Sequence, residues 1–147
     1  MPDALLVPTG ATLGIDDATL DVKINGNITA QTTAAVNTLN LAANNLTFSS
    51  AAATLSTNGI LSAGTGSGSI ANGTNASSIQ TATPGGELVV RVNGSSDSLS
   101  IAPNIVDNAA SSLTKSGAGT LILSGTNTYT GATRINGGIV AISIWSG

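Results

Sequence analysis

Turn-forming residue pairs interrupt this chain at short intervals along its length. Asn-Gly pairs occupy positions 25–26, 58–59, 72–73, 93–94 and 136–137, and a Pro-Gly pair lies at 84–85. Segments of about 8 to 12 residues therefore end in a turn, which is the spacing typical of all-β folds. The best candidate for a helix, residues 32–46, is rich in Thr and Asn, so we predict strand there as well.

The segments between the turns carry apolar residues at every second position. "ATLDVKI", "ELVVRV", "TLILSG" and "GIVAISI" all show this alternation. A period of two predicts strands with one side buried and the other side in contact with solvent. The residues predicted to line the core are Leu20, Val22, Ile24, Leu88, Val90, Val92, Leu121, Leu123, Ile135, Val140 and Ile142.

The interior has to be built almost without aromatic side chains, which are 2% of the residues, whereas hydrophobic residues are 41%. A β-sandwich usually fills the roughly 10 Å between its sheets with large aromatic side chains. A β-helix instead stacks coils about 4.7 Å apart, and Leu, Ile and Val fill its narrow bore. We therefore predict a β-solenoid of about six to seven coils, forming one domain over residues 1–147. Gly125 and Gly131 are predicted to permit its sharp corners.

The low charge of the chain excludes several classes of partner. Charged residues are 7% of the total, with four Lys plus Arg, seven Asp plus Glu and a net charge of −3. Four cations cannot neutralise a run of phosphates, so we expect no nucleic acid partner. No apolar stretch approaches the roughly 20 residues of a membrane span, so we expect none. The first residues lack a secretory signal, and an exported form would need one from outside this sequence.

The residue types needed for most catalytic and metal sites are missing. The chain contains no Cys and no His, which excludes disulfides, thiolate nucleophiles and imidazole chemistry. A Ser–Lys pair would have to use neighbours such as Lys115 and Ser116, but alternation along a strand sends their side chains to opposite faces. Asp16, Asp17 and Asp21 lack the spacing of a calcium loop and are interpreted as solvated turn acids. We predict no catalytic residue, no cofactor and no bound metal.

Residues 113–143, "LTKSGAGTLILSGTNTYTGATRINGGIVAIS", combine a Leu-Thr-Lys-x-Gly-x-Gly-Thr-Leu opening with Leu-Ser-Gly-x-Asn-x-Tyr-x-Gly and an Ile-Asn-x-Gly turn. This segment closely resembles the passenger-associated repeat of bacterial autotransporters. The resemblance implies a right-handed parallel β-helix that is exported to the bacterial surface or beyond. The β-barrel that translocates such passengers has no counterpart in these 147 residues. Whether the chain is a fragment or uses another export route is left open.

Several aliphatic residues fall out of phase with the predicted core. Ile122 and Ile139 stand where the repeat usually carries an outward Thr, and Val89 lies between two core positions. The last ten residues, "GIVAISIWSG", contain Ile144 and Trp145 and form an uncharged, β-prone window that pairs readily with another strand. We therefore predict self-association through these five residues, laterally or end to end, and a structural role as scaffold, stalk or fibre subunit.

Three other interpretations stay open. Exposed aliphatic residues are ordinary on any protein surface, and the chain can also be an uncapped piece of a longer passenger. Alternatively, faces rich in Thr, Ser and Asn can bind a glycan or ordered water, as in an adhesin-type module. "TNTYTGAT" at 126–133 is the best local patch for such a ligand, but no Thr-x-Thr array recurs at coil spacing in the sequence.

Overall fold

Parallel strands form the regular secondary structure of this protein. The computed structural model describes residues 5–143, and that range contains no helix, including none that could cross a membrane. The strands are β1 (Leu5–Val7), β2 (Asp17–Ile24), β3 (Ile28–Gln31), β4 (Ala34–Asn40), β5 (Asn45–Phe48), β6 (Thr54–Ser56), β7 (Gly59–Ser62), β8 (Ser67–Ala71), β9 (Ser78–Gln80), β10 (Glu87–Val92), β11 (Ser98–Ile101), β12 (Asn104–Ile105), β13 (Ser112–Ser116), β14 (Thr120–Leu123), β15 (Thr133–Ile135) and β16 (Ile139–Ile142). The all-β prediction is confirmed.

The strands stack into three faces. Face A contains β1, β2, β4, β7, β10, β13 and β15, and face B contains β3, β5, β8, β11, β14 and β16. Face C contains β6, β9 and β12 and joins face A through the first residues of β4. All neighbouring strands within a face pair in parallel. The chain winds from A to B to C and back to A, so the predicted parallel β-helix is confirmed. The number of complete coils stays a prediction.

A column of inward side chains runs along the bore beneath face A. Strand pairing aligns Val22, Leu39, Ile60, Val90, Lys115 and Ile135. Aligned residues of parallel strands point to the same side of the sheet. The four aliphatic members that precede Lys115 are at most 1% exposed, and burial of each contributes roughly 1.5–3 kcal/mol. Such columns hold successive windings together.

The structure buries most of the residues that alternation assigned to the core. Val22, Ile24, Leu88, Val90, Val92, Leu121 and Leu123 are buried, and Val140 is half-buried against them. Leu20 is not in the core, contrary to the prediction, because 38% of it is exposed. Asp17 pairs with Val36 and Asp21 pairs with Thr38. The chain therefore moves four positions along β2 over the same distance as two positions along β4. Leu20 lies in this bulge, where alternation counted back from Val22 fails.

Ile135 and Ile142 are exposed by 57% and 66%, so the prediction that they are core residues is wrong as regards burial. Their phase is inward, since Ile135 pairs with the buried Lys115 and Ile142 with the buried Leu123. β15 and β16 form the last winding within residues 5–143, and no described winding covers its far side. An inward phase gives burial only where both neighbouring windings are present.

Corners between faces depend on Asn and Gly. Asn58 donates from Nδ2 to Oδ1 of Asn37 on the preceding winding, 3.2 Å away, which is the corner ladder typical of stacked chains. Gly131 does not adopt the left-handed backbone that would explain a sharp corner. A Cβ at this position would lie 2.5 Å from the carbonyl oxygen of Ser111. Gly131 is therefore needed for the close approach of two windings.

Candidate functional site

The segment that resembles a passenger repeat forms the last two described windings. β13 and β14 belong to the first of them, and β15 and β16 pair with these strands as the second. Leu121 and Leu123 fill the bore of the first winding, and Tyr129 packs against the same core. Within residues 5–143, one winding of the repeat is thus covered on both sides and the other on one side only.

Lys115 lies inside the bore, with none of its surface exposed. Its Nζ donates to the carbonyl oxygens of Ser116 at 2.6 Å, Gly117 at 2.9 Å and Gly137 at 3.2 Å. These three acceptors replace the water that an ammonium group loses on burial. Gly137 belongs to the last winding, so the side chain of Lys115 ties that winding to the preceding one.

The position of Lys115 fits a structural role better than a catalytic one. Burial lowers the pKa of its ammonium group, and the charge of Arg91 lowers it further. However, Nζ contacts the backbone carbonyl of Ser116, and Ser116 pairs with Arg91 in the outward phase of face A. Sequence reasoning rejected Lys115 as a base but did not foresee its contact with the last winding. The spacing Leu113-x-Lys115 could have revealed an inward lysine.

The bore is open beyond the last winding that the structure describes. A depression of about 360 Å³ lies at this opening, and it is lined by Leu123, Asn127, Tyr129, Gly131, Thr133 and Ile142. The hydroxyls of Tyr129 and Thr133 lie 2.8 Å apart at its rim. We call this opening, together with Ile135 and Val140, the C-terminal mouth. Aliphatic side chains and polar groups share its surface, and one edge of β15 and of β16 has no described strand partner.

A second opening lies at β1, and we call it the N-terminal mouth. Leu5 pairs with Val22, so it belongs to the inward column, yet 48% of it is exposed. Leu6 points outward and is 54% exposed, whereas Val7 is buried. Sequence reasoning did not select Leu5 or Leu6, because the three-residue strand is too short to show alternation.

The structure does not bring the predicted interface residues together on one surface. Val89 is 36% exposed on face A, beside a shallow groove of about 310 Å³ that Gly59, Leu61 and Arg91 also line. Ile122 and Ile139 lie on the outer side of face B, on adjacent strands, and Ile139 is 59% exposed while Ile122 is half-buried. Ile144 and Trp145 lie outside the described residues. The role of all five in association stays a prediction.

The outer side of face B carries two columns of small polar residues. Ser98 Oγ donates to Ser67 Oγ at 2.8 Å in one column, and Ser69 Oγ donates to Asn45 Oδ1 at 2.9 Å in the other. Ser100 extends the second column, since it pairs with Ser69. A regular hydroxyl array that the sequence does not reveal is therefore present on face B, separate from the predicted patch at 126–133.

The acidic residues near the start of the chain accept hydrogen bonds from the following winding or from near neighbours in sequence. Asp16 accepts from the backbone N–H of Ala35 at 2.8 Å. Asp21 accepts from Asn37 Nδ2 at 2.9 Å and Thr38 Oγ1 at 2.7 Å. Hydrogen bonds from the side chain and the backbone N–H of Thr19 lower the pKa of Asp17. These contacts are those of corner and strand residues in a β-helix.

A comparison with protein-family models identifies the repeat in the last two described windings. Residues 113–142 match the model described as passenger-associated-transport-repeat, one residue short of the predicted 113–143. Searches of the curated proteins and of the solved structures returned no match. The matched residues are the last two described windings of the β-helix. The chain therefore carries a passenger-associated-transport-repeat, the repeat of the secreted or surface-exposed passenger domains of autotransporters.

Proposed function

We propose that this protein is a non-enzymatic structural β-solenoid of the bacterial surface or extracellular space, which serves as scaffold or stalk and stacks end to end as a fibre subunit. In this proposal residues 1–147 form one solenoid domain. The passenger repeat at residues 113–142 supports the location. The hydrogen bonds that occupy Lys115, Asp16 and Asp21 within the fold support a structural rather than a catalytic role.

The observation that carries the proposal is the exposure of inward-phase aliphatic residues at both mouths. Leu5 at one mouth is 48% exposed, and Ile135 and Ile142 at the other are 57% and 66% exposed, although all three have the inward phase. Each mouth also presents a strand edge, which is a template for pairing with another strand. An end-to-end contact covers both mouths at once, and a contact of this kind that does not close produces a filament.

Sedimentation velocity and negative-stain electron microscopy over a range of concentrations test the stacking. We expect rods that lengthen as the concentration rises. The double variant Ile135→Asp with Ile142→Asp should stay monomeric, because it places two charges in the C-terminal mouth. Val89→Thr, on the outer side of face A, is the matched control and should still form rods. A parent protein that is monomeric at all concentrations would contradict stacking and favour a piece of a longer passenger, whose further windings cover the mouths.

Lateral association is tested separately on face B. Ile122 and Ile139 lie diagonally on adjacent strands of its outer surface, so replacing both by Thr should reduce the bundling of rods without shortening them. Unchanged bundling would remove face B as a lateral contact.

The hydroxyl columns favour a second candidate function, an adhesin-type module. The spacing of Ser67, Ser98, Ser69 and Asn45 places small donors and acceptors at the strand separation of about 4.8 Å, and such an array can bind a glycan or ordered water. A glycan array and a thermal-hysteresis measurement test this function. Binding that disappears in Ser67→Ala with Ser98→Ala would support it, and the absence of both activities in the parent would exclude it.

A further inference from the structure

We infer that one copy docks on the next in a defined head-to-tail register, in which β1 of the second copy continues face A beyond β15 and Leu5 lies opposite Ile135. This inference rests on the proposed end-to-end stacking and adds its polarity and its residue pairing.

Continuity of the inward column is the first argument. Within one chain the column starts at Leu5, which pairs with Val22, and it ends at Ile135, which pairs with Lys115. A second copy placed one strand separation beyond β15, about 4.8 Å, brings its Leu5 to the position that a further winding would occupy. The two half-exposed members of the column then cover each other, and the edges of β1 and β15 that have no partner among the described strands exchange backbone hydrogen bonds.

The distribution of charge is the second argument, and it favours head-to-tail over head-to-head docking of two copies. An outward column of face A contains Asp21, Thr38, Gly59, Val89, Thr114 and Arg134, in this order along the rod. It begins with an acid at the N-terminal mouth and ends with a base at the C-terminal mouth. The side chain of Arg134 is 58% exposed, and its contact with Glu87 is long, at 3.9 Å.

Head-to-tail docking brings the two charges of this column toward each other. In the register above, Asp21 of the second copy lies two strand separations from Arg134, about 10 Å between backbones. The guanidinium of Arg134, which lies 3.9 Å from Glu87 on the other side, turns toward the second copy to approach this carboxylate. Docking of two N-terminal mouths would instead bring the acids Asp16, Asp17 and Asp21 of both copies together. Lys23, which pairs with Leu6, offsets part of the acidity of the N-terminal mouth, but the three acids outnumber it. The net charges of the two mouths are therefore opposite, which favours a second copy as occupant and disfavours the symmetric arrangement.

The absence of cysteine from the sequence makes the register directly testable by cross-linking. Leu6 precedes Lys23 in an outward column of face A, and Asn136 directly follows Ile135, so the inferred register places Leu6 opposite Asn136. Their Cα atoms would be about 4.8 Å apart, within the range that a disulfide bridges. A mixture of the single variants Leu6→Cys and Asn136→Cys, oxidised in a glutathione buffer, should give a disulfide-linked heterodimer as its main product.

A matched pair controls for position in the column. Lys23→Cys mixed with Asn136→Cys places both thiols in the same column but one winding further apart, about 10 Å, and should give less than a tenth of that heterodimer. If rods form but Leu6→Cys links to itself, or does not link to Asn136→Cys, the inferred register is wrong while stacking stands. If neither rods nor cross-links form, both the register and the stacking are wrong.

Discussion

Leu123 and Ile142 show most directly what separates the middle of this rod from its last winding. The two residues pair with each other on adjacent strands of face B and belong to the same inward column. Leu123 is 2% exposed, whereas Ile142 is 66% exposed. Their chemistry and phase are nearly the same, so the difference comes from the next winding, which covers Leu123 and has no described counterpart over Ile142.

The comparison separates two properties that a sequence pattern tends to merge. Phase is local, because alternation along one strand determines which side chains point into the bore. Burial is supplied by neighbours, and in a solenoid each winding contacts only the winding before it and the one after it. In a repeat of two windings, the second winding therefore completes the burial of the first. Burial of the second winding's own inward side chains depends on what docks there.

Aspartate at the two paired positions should produce the largest contrast. Leu123→Asp buries an unpaired carboxylate in the bore and should cost more than about 4 kcal/mol of unfolding free energy. Ile142→Asp places the same charge in the open mouth and should cost less than about 1 kcal/mol in dilute, monomeric protein. Urea unfolding followed by circular dichroism measures both. Equal costs would mean that the last winding is covered in solution or that the column assignment is wrong.

Lys115 connects the two regions, and its removal should have the next largest effect. Lys115→Met keeps an unbranched side chain but leaves the carbonyl oxygens of Ser116, Gly117 and Gly137 without their donor. We expect a loss of about 2–3 kcal/mol. Hydrogen exchange should accelerate more in β15 and β16 than in β10 and β11, since Gly137 belongs to the last winding.

Lys23→Met is the control for Lys115→Met, because Lys23 is an exposed lysine of face A. It should change stability by less than about 0.5 kcal/mol. Similar losses in both variants, or uniform acceleration of exchange along the rod, would contradict a specific connection through Lys115.

Local features of the chain made its strands and their phase predictable. Alternation around Val90 and Leu121 placed these residues correctly, since a strand side is encoded within a few residues. The bulge that exposes Leu20 was not predictable, because it depends on how β2 pairs with β4. The hydroxyl columns of face B were hidden for a related reason. Ser67 and Ser98 are 31 residues apart, whereas Asn45 and Ser69 are 24 apart, so unequal corners remove any fixed period from the sequence.

Lys115 illustrates the same limit at the candidate site. Its inward phase could be read from Leu113, two positions earlier on β13. Its third acceptor, the carbonyl oxygen of Gly137, lies 22 residues away on another winding. Only the stacking of windings brings the two together, and therefore the sequence could exclude Lys115 as a base but could not reveal its contact with the last winding.

Gly131 lies on the path from the first winding of the repeat to the second, and a methyl group there should have a smaller effect. Gly131→Ala places a Cβ 2.5 Å from the carbonyl oxygen of Ser111, so the windings must separate slightly, at a cost of about 1–2 kcal/mol. Gly10→Ala is the control, because the nearest atom to its Cβ would lie at 3.7 Å. Thermal unfolding should show a lower midpoint for Gly131→Ala only, and equal midpoints would argue against close packing at this corner.

Asp107 accepts hydrogen bonds from Thr130, which leads into the last winding. Titration of Asp107 should change the stability of that winding least among these predictions. Hydrogen bonds from the backbone N–H groups of Ala110 and Thr130 hold the pKa of its carboxyl below the ordinary value of 3.8. The stabilisation is therefore complete above that value and is lost as the pH falls through the lower pKa of the folded state. Because Thr130 leads into β15, acid should weaken the last winding more than the middle ones.

Hydrogen exchange between pH 6 and pH 2.5 measures this difference, with Asp107→Asn as the non-titrating control. Asp17, whose pKa is also lowered, titrates in both proteins, so only the difference between their pH profiles reports on Asp107. Identical profiles would show that the contact does not hold the last winding.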